Sequence, residues 1–241
     1  MSHPFQRILL VTEHTDFDSG AERLAFDIAH HCGVGLRAVF PVAHHVEYEI
    51  ASPDLALRSA REFAAKAEQL RTAAREAGVT LDLVVRQSEA PHEAILQEAR
   101  AYGADLLIAR RRGRRSFLSH LLIGEMVGKV AMDAPCSMLF VPRTARLWSH
   151  AILAVVDPEA RDVPVAAMAT EVSQACQLPL ALMTLGPGTA GKPHEAILAE
   201  AQVRQADLIV LGRYRNSTTQ HVIGQTEHSV LVVQSDASSF S

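Results

Sequence analysis

Aromatic side chains are scarce in this 241-residue chain: one Trp, three Tyr and eight Phe make up 5% of it. Ala, Leu and Val must therefore fill the core. Lysine is rarer still, three residues against twenty arginines, a bias expected of codon usage. The three cysteines, Cys32, Cys136 and Cys176, form no C-x-x-C pair. Neither a zinc site nor a disulfide framework is expected from them, and each reads as a small apolar residue. No apolar run approaches the roughly 18 residues that span a bilayer. The N-terminal stretch lacks the charged segment and apolar run of a secretory signal. A soluble cytoplasmic protein without a membrane partner is expected. A dominant charge sign is missing too. With 23 Lys+Arg against 27 Asp+Glu the net charge is −4, which speaks against binding nucleic acid through bulk charge.

What is present is an ordinary globular composition, 48% hydrophobic and 21% charged, long enough for one large domain or two small ones. The short apolar run at 8–12 reads as a strand buried on both faces, and the stretches at 36–42, 81–85, 105–109 and 137–141 read as further strands. Between them lie helical patterns. One follows Asp18 and carries Ser19 and Glu22 at capping-box spacing, with Gly33 as its stop. Another opens at Ser52-Pro53-Asp54 and closes at Gly78, a third covers 91–102, and a fourth is expected over 119–132. Strands alternating with helices imply parallel βαβ units in an α/β sheet.

The chain also repeats itself. Pro91-His92-Glu93-Ala94-Ile95-Leu96-Gln97-Glu98-Ala99 returns as Pro193-His194-Glu195-Ala196-Ile197-Leu198-Ala199-Glu200-Ala201, and Ala104-Asp105-Leu106 returns as Ala206-Asp207-Leu208, both at an offset of 102. Earlier, Ile8-Leu9 matches Ile152-Leu153 and Cys32 matches Cys176 at an offset of 144. The fall from 144 to 102 removes the counterparts of the 53–77 helix and the 81–85 strand. A further fall, from 100 at Gly124/Gly224 to 92 at Ser137/Ser229, shortens or removes a helix before the last strand. Two unequal domains are expected, residues 1–145 complete and 146–241 truncated.

With the copies aligned, the chain resembles the universal stress protein family as a tandem. The resemblance rests on Arg7-Ile8-Leu9-Leu10-Val11-Thr12-Glu13, on Gly103-Ala104-Asp105-Leu106-Leu107-Ile108, on the segment from Leu118 to Gly124, and on Ala134-Pro135-Cys136-Ser137-Met138-Leu139-Phe140-Val141. It implies an open, Rossmann-like parallel sheet of order 3-2-1-4-5 in each copy. It also implies a pseudo-dimer whose last strands pair, here 137–141 with 230–234. The third strand is then an edge, so the second copy can lose it with the central pairings intact. Further homodimerisation is expected of surface that the deletion leaves bare.

In nucleotide-binding members of the family, ATP or AMP lies beyond strands one and four. The pattern there is an Asp, then G-x-x-G, nine residues, and G-[ST]. Glycines let backbone N–H groups approach phosphate oxygens. The first copy departs from this pattern at Glu13, at Pro41 (which has no N–H for adenine), at the loop of Arg110, Arg111, Arg112, Gly113, Arg114 and Arg115, and at Glu125 after Gly124. The second keeps Asp157, Gly212 and Gly224, with Arg213, Arg215 and Gln225 as further phosphate-reaching groups. The resemblance thus implies a non-catalytic stress-response binding or regulatory protein with degenerate nucleotide sites. Its rivals are an adenine-nucleotide binder or slow ATPase at the second-copy site, and a small-molecule or lipid carrier.

Other constellations are weaker. The arginine loop lacks the interleaved aromatics of a nucleic-acid surface and reads as a solvated or anion-facing loop. His14, His44 and His45, near Glu13, Glu47 and Glu49, lack metal-ligand spacing. His92/Glu93 and His194/Glu195 read as helix N-terminal residues favoured by the dipole. No nucleophile–base constellation emerges from spacing.

Overall fold

The computed structural model describes residues 3–43, 53–111, 130, 133–158, 163–186, 191–213 and 218–234; the side chains of 43, 53–57, 59 and 163 lie outside this description. The fourth expected helix (119–132) falls outside it apart from Val130. So do Gly113, Arg114, Gly124, Arg215, His44 and His45.

The first half runs β1 (Ile8–Val11), α1 (Ser19–Cys32), β2 (Leu36–Ala43), α2 (Pro53–Glu76), β3 (Leu81–Ser88), α3 (Pro91–Tyr102), β4 (Leu106–Arg110) and β5 (Ser137–Val141). The second runs β6 (Ala151–Val156), α4 (Val163–Cys176), β7 (Leu180–Thr184), α5 (Pro193–Val203), β8 (Ala206–Gly212), α6 (Thr218–Gln225) and β9 (Ser229–Val233). The described strands form one nine-stranded sheet of order β3-β2-β1-β4-β5-β9-β8-β6-β7. It contains the expected order 3-2-1-4-5, and the same order without its third strand in mirror sequence. The last strands join the halves antiparallel, Met138 opposite Val232, Leu139 opposite Leu231 and Phe140 opposite Val230. Every other pairing is parallel.

The alternation of side chains along each strand divides the core into two layers. Ile8, Leu10, Leu106 and Ile108 meet α1 on one face, and Leu9, Leu107 and Ala109 meet α3 on the other. Ile152, Ala154 and Val210 continue the first layer under α4, and Leu153, Val155 and Ile209 continue the second under α5 and α6. Both layers therefore run across the β5–β9 join without a break.

Several repeat positions turn out to be fasteners. The Asp105 carboxylate accepts the backbone N–H of Gln6 at 2.8 Å and of Arg7 at 3.0 Å, which staples β4 to the start of β1. Asp207 does the same for Ser149 (2.7 Å) and His150 (3.2 Å) ahead of β6. Glu98 is wholly buried and accepts from Arg37 on β2 at 3.0 Å and from Arg86 on β3 at 2.7 Å. Its counterpart Glu200 has no third strand to hold and pairs instead with Arg204 on its own helix, at 2.8 Å.

Two local readings change. The expected capping box is not formed. Asp18 precedes α1 in helical geometry without a side-chain cap, and the Ser19 hydroxyl donates to the Asp16 carbonyl at 2.9 Å. Glu22 is buried beneath the end of β1 instead, because Thr12 offers its hydroxyl there at 2.5 Å. The second copy's last helix is shortened rather than lost: α6 has eight residues and contains Gly224.

Candidate functional site

Chain connections leave β1 and β4 in opposite directions, toward β2 on one side and β5 on the other. That reversal opens a crevice beyond the carboxyl ends of the strands, the place where open α/β sheets take ligands. The second copy has the same place between β6 and β8.

The first crevice is occupied by the chain's own side chains. Arg110, last residue of β4, points into it and is only 14% exposed. Its Nη2 donates to Glu13 Oε2 at 3.2 Å, its Nη1 donates to the Thr15 hydroxyl at 3.2 Å, and its Nε lies 3.4 Å from Asp18 Oδ1. Asp18 in turn accepts from the Thr15 hydroxyl at 2.6 Å and the Thr15 N–H at 3.0 Å. Lys66 of α2 donates to the Glu13 carbonyl at 3.2 Å. A second cluster adjoins the first: Glu22 accepts the Thr12 hydroxyl and faces His14 Nδ1 at 3.1 Å, while His14 itself adopts a left-handed φ of 48°. One guanidinium held by two carboxylates and a hydroxyl is well satisfied, and its displacement would leave the buried Asp18 carboxylate without a counter-charge, held only by its two hydrogen bonds from Thr15. By the offset of 102, Arg110 stands where the second copy has Gly212.

Fewer residues of the second crevice are described. Asp157 follows β6 and Gly212 ends β8. Thr218 and Thr219 begin α6 and are buried, and the Thr219 hydroxyl donates to the Gly212 carbonyl at 3.2 Å. On the flank, His194 of α5 stacks on His221 of α6 with ring centroids 4.7 Å apart. Thus Asp157, Gly212 and the N-terminal threonines of α6 share the carboxyl end of the sheet. Gly224 and Gln225 do not join them. They occupy the last turn of α6, about 9 Å along the helix axis from Thr218 at 1.5 Å per residue.

Two arginines expected near phosphate are engaged across the join of the halves. Arg111 donates to the Ile223 carbonyl at 3.3 Å in the last turn of α6, and Arg213 donates to the Ala134 carbonyl at 2.9 Å just ahead of β5. The two are counterparts at offset 102, so the clasp is reciprocal. Arg111, beside the last turn of α6, also meets the negative pole of that helix. Burial lowers the pKa of both guanidinium groups, with Glu227 opposing the shift at Arg111 and Asp133 opposing it at Arg213.

Sequence spacing missed Asp18, Glu22, Lys66 and the pair Thr218-Thr219. The threonines carried a legible signal, two hydroxyl residues at the head of a helix, which the search for G-[ST] at Gly224 passed over. Among the described residues no group of three or more His, Cys, Asp or Glu side chains is placed to hold a metal ion. No described helix is long and apolar enough to cross a membrane.

Solved structures of similar fold span nearly the whole chain. A Pseudomonas aeruginosa protein of unknown function aligns with a TM-score of 0.73 and 20% identity, over 96% of this chain and 93% of its own. A putative universal stress protein from Pseudomonas aeruginosa gives 0.72 and 20%, over 95% and 93%. A universal stress protein from Archaeoglobus fulgidus gives 0.71 and 15%, over 95% and 98%. No curated protein matches the chain. The model of the universal stress protein family matches residues 4–142, so this chain belongs to that family.

Proposed function

We propose that this chain is a cytoplasmic, non-catalytic stress-response protein built of two unequal copies, residues 1–145 and 146–241, in which only the second crevice faces a ligand. The observation that carries this reading is Arg110, which stands in place of a phosphate-loop glycine and is pinned there by Glu13, Thr15 and Asp18. A nucleotide entering the first crevice would have to displace a guanidinium and leave the Asp18 carboxylate without it, at a cost of several kcal/mol. In the second crevice Gly212 places no side chain at that position, and Asp157 and the α6 threonines lie at the same end of the sheet. That set suits a small phosphate-bearing ligand such as ATP or AMP. Without the full glycine cradle its affinity is expected to be weak, in the range of roughly 0.1–1 mM, worth about 0.4–1.4 kcal/mol at 1 mM ligand.

Thermal denaturation with 1 mM ATP, AMP or no nucleotide tests this. An adenine nucleotide should raise the midpoint by about 1–4 °C. Asp157→Ala should abolish the rise and Glu13→Ala should leave it. No rise with either nucleotide removes adenine-nucleotide binding and leaves both crevices structural. Release of inorganic phosphate from ATP above the level of the Asp157→Ala variant would favour the slow-ATPase reading instead.

A further inference from the structure

The internal repeat permits a comparison of equivalent positions with and without a covering helix. In the first copy, β2 is flanked by β3 and roofed by α2, whose Leu70 and Ala74 are fully buried. Leu24, Leu36 and Ala38 beneath are sealed, each at most 1% exposed. Their counterparts at offset 144 are Met168 on α4 and Leu180 and Leu182 on β7. Met168 and Leu180 are half-buried, and Leu182 is 63% exposed. The deletion removed the roof, yet the three counterparts are all large and apolar. A polar replacement at Leu182 would cost a monomer little packing.

The two ends of the sheet differ in the same sense. β3 is a guarded edge: it carries Asp82, tied to Arg37 at 2.6 Å, and Arg86, tied to buried Glu98. Charged side chains of this kind discourage pairing with another chain. β7 reads Leu-Ala-Leu-Met-Thr without a charge and pairs only with β6 among the described strands. Its five residues are also self-complementary. In an antiparallel pair centred on Leu182, Ala181 faces Met183 on one side of the sheet, while Leu182 faces itself and Leu180 faces Thr184 on the other.

We propose that β7 is a homodimer interface, on which a second copy of this chain adds its own β7 antiparallel about Leu182. The molecule already uses such a joint internally at β5–β9, where two copies meet edge to edge and both core layers run through. At the new joint, α4 and its mate would lie over the two β6 strands, three strand spacings or about 14 Å apart. Packed helices sit roughly 10 Å apart. The excess of about 4 Å is the reach of the Leu182 and Met168 side chains from each protomer, which would close the gap that the missing helix left.

Sedimentation of the purified chain at about 50 μM tests the proposal. The expected species has about twice the 26.2 kDa chain mass. Leu182→Lys should convert it to monomer with an unchanged far-ultraviolet dichroism spectrum, because the side chain is exposed within one protomer. Val85→Lys on the guarded edge should leave the dimer intact. Leu182→Cys should form an intermolecular disulfide on mild oxidation that the wild type does not form. A monomeric wild type at this concentration overturns the proposal. So does a dimer that survives Leu182→Lys, or one lost with Val85→Lys instead.

Discussion

Three glycines in the first copy end their helices in the left-handed region, Gly33 at φ 64°, Gly78 at 70° and Gly103 at 64°. The second copy, which lacks the helix that Gly78 ends, meets the other two turns without glycine. At the counterparts of Gly33 and Gly103 stand Gln177 at φ 55° and Gln205 at φ 53°. The hydrogen bonds are retained: Val34 N–H reaches the Ala29 carbonyl at 3.0 Å, and Leu178 N–H reaches the Ser173 carbonyl at 3.0 Å. A side chain in that conformation is strained, and glycine removes the strain at some cost in unfolded-chain entropy. Gln177→Gly and Gln205→Gly should therefore each stabilise the chain by about 0.5–1 kcal/mol in urea denaturation. Loss of stability in both would mean the glutamine side chains hold contacts worth more than the strain. The turns themselves were legible from Gly33 and Gly78, but the strained glutamines became visible only through the offset. Glu22 shows the opposite failure. A Glu three residues after a Ser is the same string whether it caps a helix or sits buried under Thr12, and only packing distinguishes the two.

Among elements, β3 is the one whose retention depends on named contacts. Its outer edge pairs with no other described strand, and Glu98 binds it to β2 and α3 through Arg86 and Arg37, with Arg37 also 4.3 Å from the Tyr102 ring centroid. Removing the charge of Glu98 leaves two guanidinium groups facing a neutral amide. Glu98→Gln should cost about 3 kcal/mol, and amide exchange should rise along residues 81–88 before the rest of the sheet. Glu200→Gln, at the repeat position without a third strand, should cost less than about 1 kcal/mol because its partner Arg204 is exposed. Equal costs at the two positions would contradict the assignment of Glu98 as the fastener of β3. The deletion of this strand from the second copy was legible because two offsets, 144 and 102, bracket it. The shortened α6 was harder to place. Gly224 supplied the alignment and was expected near a helix start, whereas its backbone belongs to the last turn.

Across the whole molecule, one sheet with two continuous core layers makes the two copies a single structural unit. The β5–β9 pairing was expected from family resemblance. The reciprocal clasp was not, since nothing in the run of arginines separates Arg111, which reaches the opposite half, from Arg110, which folds back into its own crevice. Side-chain direction at the end of a strand alternates, and that alternation decides which arginine plugs and which clasps. The central claim is that Arg110 closes the first crevice and that ligand binding belongs to the second. Isothermal titration of the wild type, Asp157→Ala and Arg110→Gly with AMP tests it most directly. One site per chain in the wild type, none in Asp157→Ala, and a second site gained in Arg110→Gly is the expected result. Two sites in the wild type, or one site that survives Asp157→Ala and vanishes in Arg110→Gly, would contradict it.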